Sequence, residues 1–100
     1  MKTVCFDVGG TLIQPFTNAP RTEVIELLRT LQKLGYTVYV WSGGGIDYAK
    51  TWVNCLGLTN VQVIRKGSFK PDLAVDDMPD ATLGEGLIWV GPVEPTSGKG

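Results

Sequence analysis

The sequence predicts a single α/β domain built on a parallel β-sheet of about five strands, in three layers with helices on both faces. Apolar, β-favouring segments alternate along the chain with segments whose apolar residues recur at helical spacing. This strand–helix–strand order predicts parallel strands joined by right-handed crossovers. A length of 100 residues with 43% hydrophobic content is typical of one globular domain. We expect this domain to span residues 1–93 and a loose Pro/Ser/Gly-rich tail to span 94–100.

The first predicted strand ends at an acidic residue. In residues 4–12, which read VCFDVGGTL, apolar side chains lead into Asp7, and two glycines follow it. A carboxylate at the tip of a buried strand is costly unless a cation or hydrogen-bond donors meet it. Glycine lets the backbone approach a ligand closely and adopt positive φ. The pattern predicts a ligand site at the end of this strand.

The remaining elements follow in alternation. The helical segments show an apolar residue every three or four positions and end at a glycine, whereas the strands are rich in β-branched and aromatic residues. The predicted elements are a helix over about 20–34, a strand over 36–41, a helix over 46–56, and strands over 61–65, 73–75 and 87–90.

Polar residues lie at or just past the ends of several predicted strands. Ser42 begins a Ser-Gly-Gly-Gly run after the second strand, Lys66 follows the third, and Asp76-Asp77 follow the fourth. In an open parallel sheet the ligand crevice lies outside the carboxyl ends of the strands. We therefore expect these groups to meet Asp7 at one edge of the sheet.

These residue types suit phosphoryl transfer. Asp7 is the predicted nucleophile, which would form an aspartyl-phosphate. Together with Asp76 and Asp77 it makes an oxygen-only cluster that favours Mg²⁺ as the cofactor. A helix N-terminus binds anions through backbone amides, and a lysine neutralises the charge that develops on the phosphoryl group. The predicted phosphate-binding residues are Thr11, Ser42, Gly43 and Gly44.

Two lysines compete for the catalytic position. Lys66 directly follows the third strand, at the carboxyl edge, whereas Lys70 precedes the fourth strand by three residues and belongs nearer the opposite edge. We therefore prefer Lys66. The pattern leaves open which of Asp76 and Asp77 binds the metal.

With these residues in view, the chain resembles a minimal member of the haloacid dehalogenase superfamily of phosphohydrolases, over about residues 3–91. The matching residues, in motif order, are Asp7-Val8-Gly9-Gly10-Thr11-Leu12, Ser42, Lys66 (or Lys70) and Asp76-Asp77. The resemblance implies a Rossmann-like fold, Mg²⁺ and a phosphoryl-aspartate intermediate. It also implies that the backbone carbonyl of Gly9 is a metal ligand.

The chain departs from this family at Gly9. The phosphatases of the family usually have an aspartate there, acting as general acid toward the leaving group and then as base for water. Proton transfer of this kind is worth about 10²–10⁴-fold in rate, so we expect slow turnover that is least impaired with good leaving groups. Asp47, at the start of the second predicted helix, is a less favoured substitute for this general acid and base. Phosphonate-cleaving and ATPase relatives also lack this aspartate, and the alternative function is a catalytically silent phosphate- or metal-binding module.

The usual insertion points for a cap domain in that family correspond to residues 12–20 and 66–72, and neither can hold a domain. An open site resembles the capless branch, which implies a phosphorylated macromolecule as substrate, or a small molecule screened by a neighbouring subunit of a homo-oligomer. The Asp-Val-Gly-Gly-Thr run also resembles the phosphate loop of actin-fold sugar kinases, but that fold needs a far longer chain.

Composition restricts the other expected partners. Nine basic and ten acidic residues give a formal net charge of −1, without a strong nucleic-acid signal. No apolar run approaches the roughly 20 residues of a membrane span, and Asp7 interrupts the N-terminal signal-peptide candidate. Two cysteines are too few for a disulfide framework, and the chain has no histidine for a Cys–His pair. We expect a reduced, cytoplasmic protein.

Overall fold

The computed structural model describes residues 2–91, which form a five-stranded parallel sheet and two helices. The elements are β1 (Thr3–Asp7), α1 (Thr22–Lys33), β2 (Thr37–Trp41), α2 (Ile46–Cys55), β3 (Val61–Val63), β4 (Leu73–Asp76) and β5 (Gly86–Trp89). The strand order is β3-β2-β1-β4-β5, and every neighbouring pair is parallel. The α/β class, the parallel sheet and the order of elements are confirmed, with bounds within two residues of those expected. The expected tail, 94–100, lies outside the described residues.

Both helices pack on the same face of the sheet. Because strand side chains alternate between faces, Val4 and Phe6 of β1 point to the same side, and both lie in the main hydrophobic core. Buried apolar side chains of α1 and α2 join that core, Leu28 and Ala49 among them. Steps from β1 to β2 and from β2 to β3 run the same way across the sheet, so right-handed crossovers place both helices on one side. Neither of these helices in residues 2–91 is long and apolar enough to cross a membrane.

Loops cover the opposite face in the described part of the chain. Cys5 and Trp41 point to this side and are fully buried. Phe69, in the β3–β4 connection, packs edge-on against Tyr39 and Trp41, with ring centroids 5.2 and 6.5 Å apart. The expectation of helices on both faces is therefore not confirmed. The connection 64–72 must pass β2 and β1 to reach β4, and it is too short to do so with a helix of normal length.

The chain changes direction across the sheet at β1. From there β2 and β3 extend the sheet on one side, and β4 and β5 extend it on the other. Ligand crevices of open α/β sheets form at such a switch point, outside the carboxyl ends of the strands. Phe6 and Val75 are register partners, so Asp7 and Asp76, the next residues, end neighbouring strands at this point.

Candidate active site

Four side chains form a row across the carboxyl edge of the sheet. Asp7 is the register partner of Trp41, and Asp76 is the register partner of Trp89. Partners in a parallel ladder point to the same face, so the row runs Trp41, Asp7, Asp76, Trp89 on the loop-covered side. Asp7 is 7% exposed and Asp76 is fully buried. The fold therefore buries two adjacent carboxylates between two tryptophans.

Lys66 pairs with both of these carboxylates. Its Nζ donates to Asp7 Oδ1 at 3.2 Å and to Asp76 Oδ2 at 3.0 Å. Burial by itself would lower the pKa of Lys66, but the two carboxylates outweigh it and raise the pKa above its usual 10.5. Lys66 is thus held as an ammonium ion, and it is the lysine that contacts Asp7. Lys70 is exposed.

Asp7 carries a perturbed carboxyl group. Burial raises its pKa from 3.8 to about 6, and the negative charge of Asp76 adds to the rise, while Lys66 partly opposes it. Loss of hydration penalises the charged form, and a neighbouring like charge does the same. At pH 7 the ionised form still predominates, which is the form that a nucleophile needs.

Asp76 is fixed through both of its oxygens. Oδ2 accepts from Lys66, and Oδ1 accepts from the backbone N–H of Met78 at 2.9 Å. These two hydrogen bonds stabilise a carboxylate that has no exposure to solvent. They also set the direction in which the chain leaves β4.

Asp77 is held by contacts from three other segments. Thr11 Oγ1 donates to Asp77 Oδ1 at 3.3 Å, and the indole N–H of Trp89 donates to its backbone oxygen at 2.9 Å. A Cβ at Gly10 would overlap the Asp77 carboxylate, and a Cβ at Gly91 would overlap its backbone. Asp77 reaches the site because both of these positions are glycine.

Asp7, Asp76 and Asp77 together form what we call the carboxylate cluster. Each offers one oxygen, and these oxygens lie within 4.8 Å of one another. Burial raises the pKa of Asp77, and a hydrogen bond with Asp76 raises it further. Hard divalent cations take oxygen ligands, and a bound cation would offset the mutual repulsion of the three acids. These are the residues able to hold a metal ion.

The loop of residues 42–45 lies beside Asp7. Ser42 directly follows Trp41, the register partner of Asp7, and is 8% exposed. Its Oγ accepts from the backbone N–H of Gly44 at 3.0 Å. The loop leads into the N-terminus of α2, where backbone amides and the helix dipole attract anions. This segment is able to bind phosphate oxygens next to the carboxylate cluster.

Thr11 and Gly9 lie in environments that differ from those expected. Thr11 was expected to bind phosphate, but its side chain is fully buried and its hydroxyl donates to Asp77. It therefore orients a carboxylate and is removed from solvent. Gly9 has an ordinary φ, and a Cβ there would meet nothing within 4 Å. The position in this turn that requires glycine is Gly10, where φ is 77°.

Sequence reasoning missed two residues that support the site. Arg21 Nη1 donates to the backbone oxygen of Gly10 at 2.8 Å, which fixes the glycine turn from the start of α1. Trp89 is the second, because its indole N–H donates to the backbone oxygen of Asp77. The sequence offered a signal for this role of Trp89, because Trp89 ends the last strand, which lies beside the strand of the acidic pair. For Arg21 the sequence pattern offered none.

Comparison with family models, curated proteins and solved structures found no match to this chain. Any functional assignment therefore rests on the residues and geometry of the site.

Substitution of the two adjacent glycines should have unequal effects. Gly10→Ala places a Cβ against Asp77 at a positive φ, so we expect a loss of about 2 kcal/mol or more in the free energy of unfolding. Gly9→Ala should change it by less than about 0.5 kcal/mol. Urea unfolding of both variants measures the difference, and equal losses would contradict the assigned role of Gly10.

Stability of the metal-free protein should depend on the ionisation of Asp7. The folded-state pKa of about 6 exceeds the usual 3.8, so stability from this group is present below pH 4 and lost as pH rises through 6. Asp7→Asn removes this loss. As pH rises from 4 to 6, the free energy of unfolding of the variant should therefore increase relative to that of the wild type. The increase should reach about 3 kcal/mol, at about 1.4 kcal/mol per pKa unit.

Urea unfolding in EDTA across this pH range gives the comparison. A difference in unfolding free energy between Asp7→Asn and the wild type that stays constant from pH 4 to pH 7.5 would contradict the raised pKa of Asp7.

Proposed function

We propose that the protein is a Mg²⁺-dependent phosphohydrolase that acts through an aspartyl-phosphate on Asp7. One observation carries the proposal: the buried Asp7 carboxylate is bonded to the Lys66 ammonium and lies within 4.8 Å of two further carboxylates. A salt bridge alone needs a single acid. Three clustered acids at the switch point of the sheet, two of them paired with one lysine, supply a nucleophile, a counter-charge and cation ligands together.

In the proposed reaction a carboxylate oxygen of Asp7 attacks phosphorus, and the bond to the leaving oxygen breaks with its electron pair. Water then attacks the aspartyl-phosphate, which releases inorganic phosphate and regenerates the carboxylate. Lys66 neutralises charge on the phosphoryl group, and the Ser42 hydroxyl with the amide of Gly43 binds its oxygens. The amide of Gly44 joins them only by releasing its hydrogen bond to Ser42 Oγ. Thr11 acts through its hydrogen bond to Asp77.

The donor set of the carboxylate cluster, all oxygen, fits Mg²⁺. Asp7, Asp76 and Asp77 would hold it, together with the backbone carbonyl of Gly9 that the family resemblance implies. Bound there, Mg²⁺ would offset phosphate charge and polarise the phosphoryl group.

The order of the motifs leads us to propose further that the chain is a reduced relative of the haloacid dehalogenase superfamily. In this proposal the second helical layer of a three-layer, Rossmann-like core is reduced to the loops that cover the site face. An open site of this kind would accept a phosphorylated macromolecule.

The second candidate function is a phosphate- or metal-binding module without hydrolysis. Two features favour this module. Glycine at position 9 cannot give a proton to a leaving group, and the chain has no histidine that could do so. Binding of Mg²⁺ and phosphate would persist in such a module, whereas turnover would not. Activity measurements separate the two.

Hydrolysis of p-nitrophenyl phosphate tests the nucleophile and the lysine. We expect Mg²⁺-dependent release of p-nitrophenol that is lost with EDTA and falls at least about 100-fold in Asp7→Asn. Lys66→Gln should lower it by about 100-fold, because the variant loses the charge that faces Asp7. Lys70→Gln, at an exposed lysine with no contact to Asp7 among the described hydrogen bonds, is the matched control and should retain activity.

No Asp7-dependent release at high protein concentration would favour the binding module. Equal losses in the two lysine variants would contradict the role of Lys66.

Restoring an acid at position 9 tests the cause of slow turnover. A Cβ added at Gly9 would meet no atom within 4 Å. We expect Gly9→Asp to raise kcat for alkyl phosphates by about tenfold or more, since the new carboxyl group protonates the leaving oxygen. Gly9→Asn, similar in size but without an acidic proton, is the control. A gain of equal size in both variants would show that proton transfer is not the cause.

A further inference from the structure

Exposed apolar side chains border the candidate active site. Among the five most exposed large hydrophobic residues in the described range 2–91, four lie at or after the carboxyl ends of strands, and Leu34 lies at the opposite end of the sheet. We call these four the apolar rim. They are Phe16 (86% exposed), Met78 (60%), Trp89 (52%) and Tyr48 (40%).

Contacts tie three rim residues directly to site residues. The backbone N–H of Met78 donates to Asp76, and the indole N–H of Trp89 donates to the backbone oxygen of Asp77. The ring of Tyr48 lies over Gly44, where an added Cβ would be only 3.1 Å from it. Three of the four rim residues therefore adjoin either the carboxylate cluster or the loop expected to bind phosphate.

Phe16 lies at the tip of a short hairpin that leaves the glycine turn. Bridges join Ile13 to Gly9 and to Pro20, which closes the hairpin. Phe16 has a φ of 71°, a conformation that is costly for an aromatic residue. The hairpin that leaves the glycine turn thus holds an almost fully exposed ring. Because the ring is exposed, burial in the core does not offset the unfavourable backbone conformation of Phe16.

The site offers little proton donation to a leaving group. Position 9 is glycine, the chain has no histidine, and the Lys66 Nζ already donates to two carboxylates. The carboxylate of Asp80 accepts two hydrogen bonds from Thr82, one from its backbone N–H and one from its hydroxyl. A phenol, with a pKa of about 10, is a better unassisted leaving group than an aliphatic alcohol.

We propose that the substrate is an aryl phosphate monoester, whose ring lies on the apolar rim while its phosphoryl group reaches Asp7. This inference rests on the proposed phosphohydrolase function. The rim supplies aromatic and thioether contacts of the kind that bind a flat ring. An aryl leaving group also needs no general acid at position 9.

The reaction balances without a further co-reactant. An Asp7 carboxylate oxygen bonds to phosphorus as the aryl O–P bond breaks, and the aryl oxide keeps the electron pair and takes a proton from water. A water molecule then attacks phosphorus, and the bond between phosphorus and Asp7 breaks. The net change is ester plus water to phenol plus inorganic phosphate.

Two amino-acid phosphates compare aryl and alkyl leaving groups in the whole protein with Mg²⁺. We expect kcat/KM for O-phospho-L-tyrosine to exceed that for O-phospho-L-serine by at least about 100-fold. Phe16→Ala should lower the tyrosine value by about five- to tenfold and leave the serine value nearly unchanged. Leu34→Ala, which removes an exposed apolar side chain far from the site, should change neither value.

Binding of two phosphonates tests the rim without hydrolysis, because neither has an oxygen leaving group. Calorimetry with Mg²⁺ should give about tenfold tighter binding of phenylphosphonate than of methylphosphonate, and Phe16→Ala should abolish the difference. If no Asp7-dependent hydrolysis occurs but this preference holds, the hydrolase proposal fails and the rim stands as an aryl-phosphate binding site.

Equal affinity for the two phosphonates would overturn the inference, even where hydrolysis is observed. A homodimer that Phe16→Ala dissociates in sedimentation, without any change in phosphonate preference, would also overturn it and would assign the rim to self-association.

Discussion

The contact of one ammonium with two buried carboxylates is the interaction on which the rest of the structure depends. Asp7 and Asp76 end adjacent strands and face the same side of the sheet, so their charges repel in a place that excludes water. Lys66 relieves that repulsion. Because Lys66 follows β3 and reaches across β2 to the central strands, the same contact anchors the long connection over the loop-covered face. Loss of the lysine would leave buried charges unpaired, which is strongly destabilising.

The carboxylate cluster lowers the stability of the fold at neutral pH. Folding shifts the pKa of Asp7 upward because burial and a like charge both oppose its ionisation. A fold that needed only a salt bridge would have no reason to bring Asp77 close as well. Here two glycines, a buried threonine and a tryptophan side chain all act to hold that third carboxylate near the other two. Local costs that several distant segments maintain together are characteristic of functional sites.

Placement of both helices on one face also determines access to the site. The core between helices and sheet is closed and apolar, whereas loops alone cover the face to which Asp7 and Asp76 point. The exposed side chains of the apolar rim lie at or after the carboxyl ends of the strands, beside this loop-covered face. In the proposal, the aryl group of the substrate binds to the apolar rim at this edge, away from the helix-covered face.

Local pattern in the sequence determined the elements and their polar ends. Helical spacing of apolar residues and segments rich in β-branched and aromatic residues predicted every helix and strand of residues 2–91 within two residues. The alternation of these elements was enough to predict that Asp7, Lys66 and Asp76 share an edge. Only the tertiary structure decided that both helices lie on one face, that Thr11 turns inward to Asp77, and that Gly10 is the glycine the turn requires. The physical reason is sequence distance. Thr11 and Asp77 are 66 residues apart, and their contact depends on strand order and register, which no local periodicity encodes.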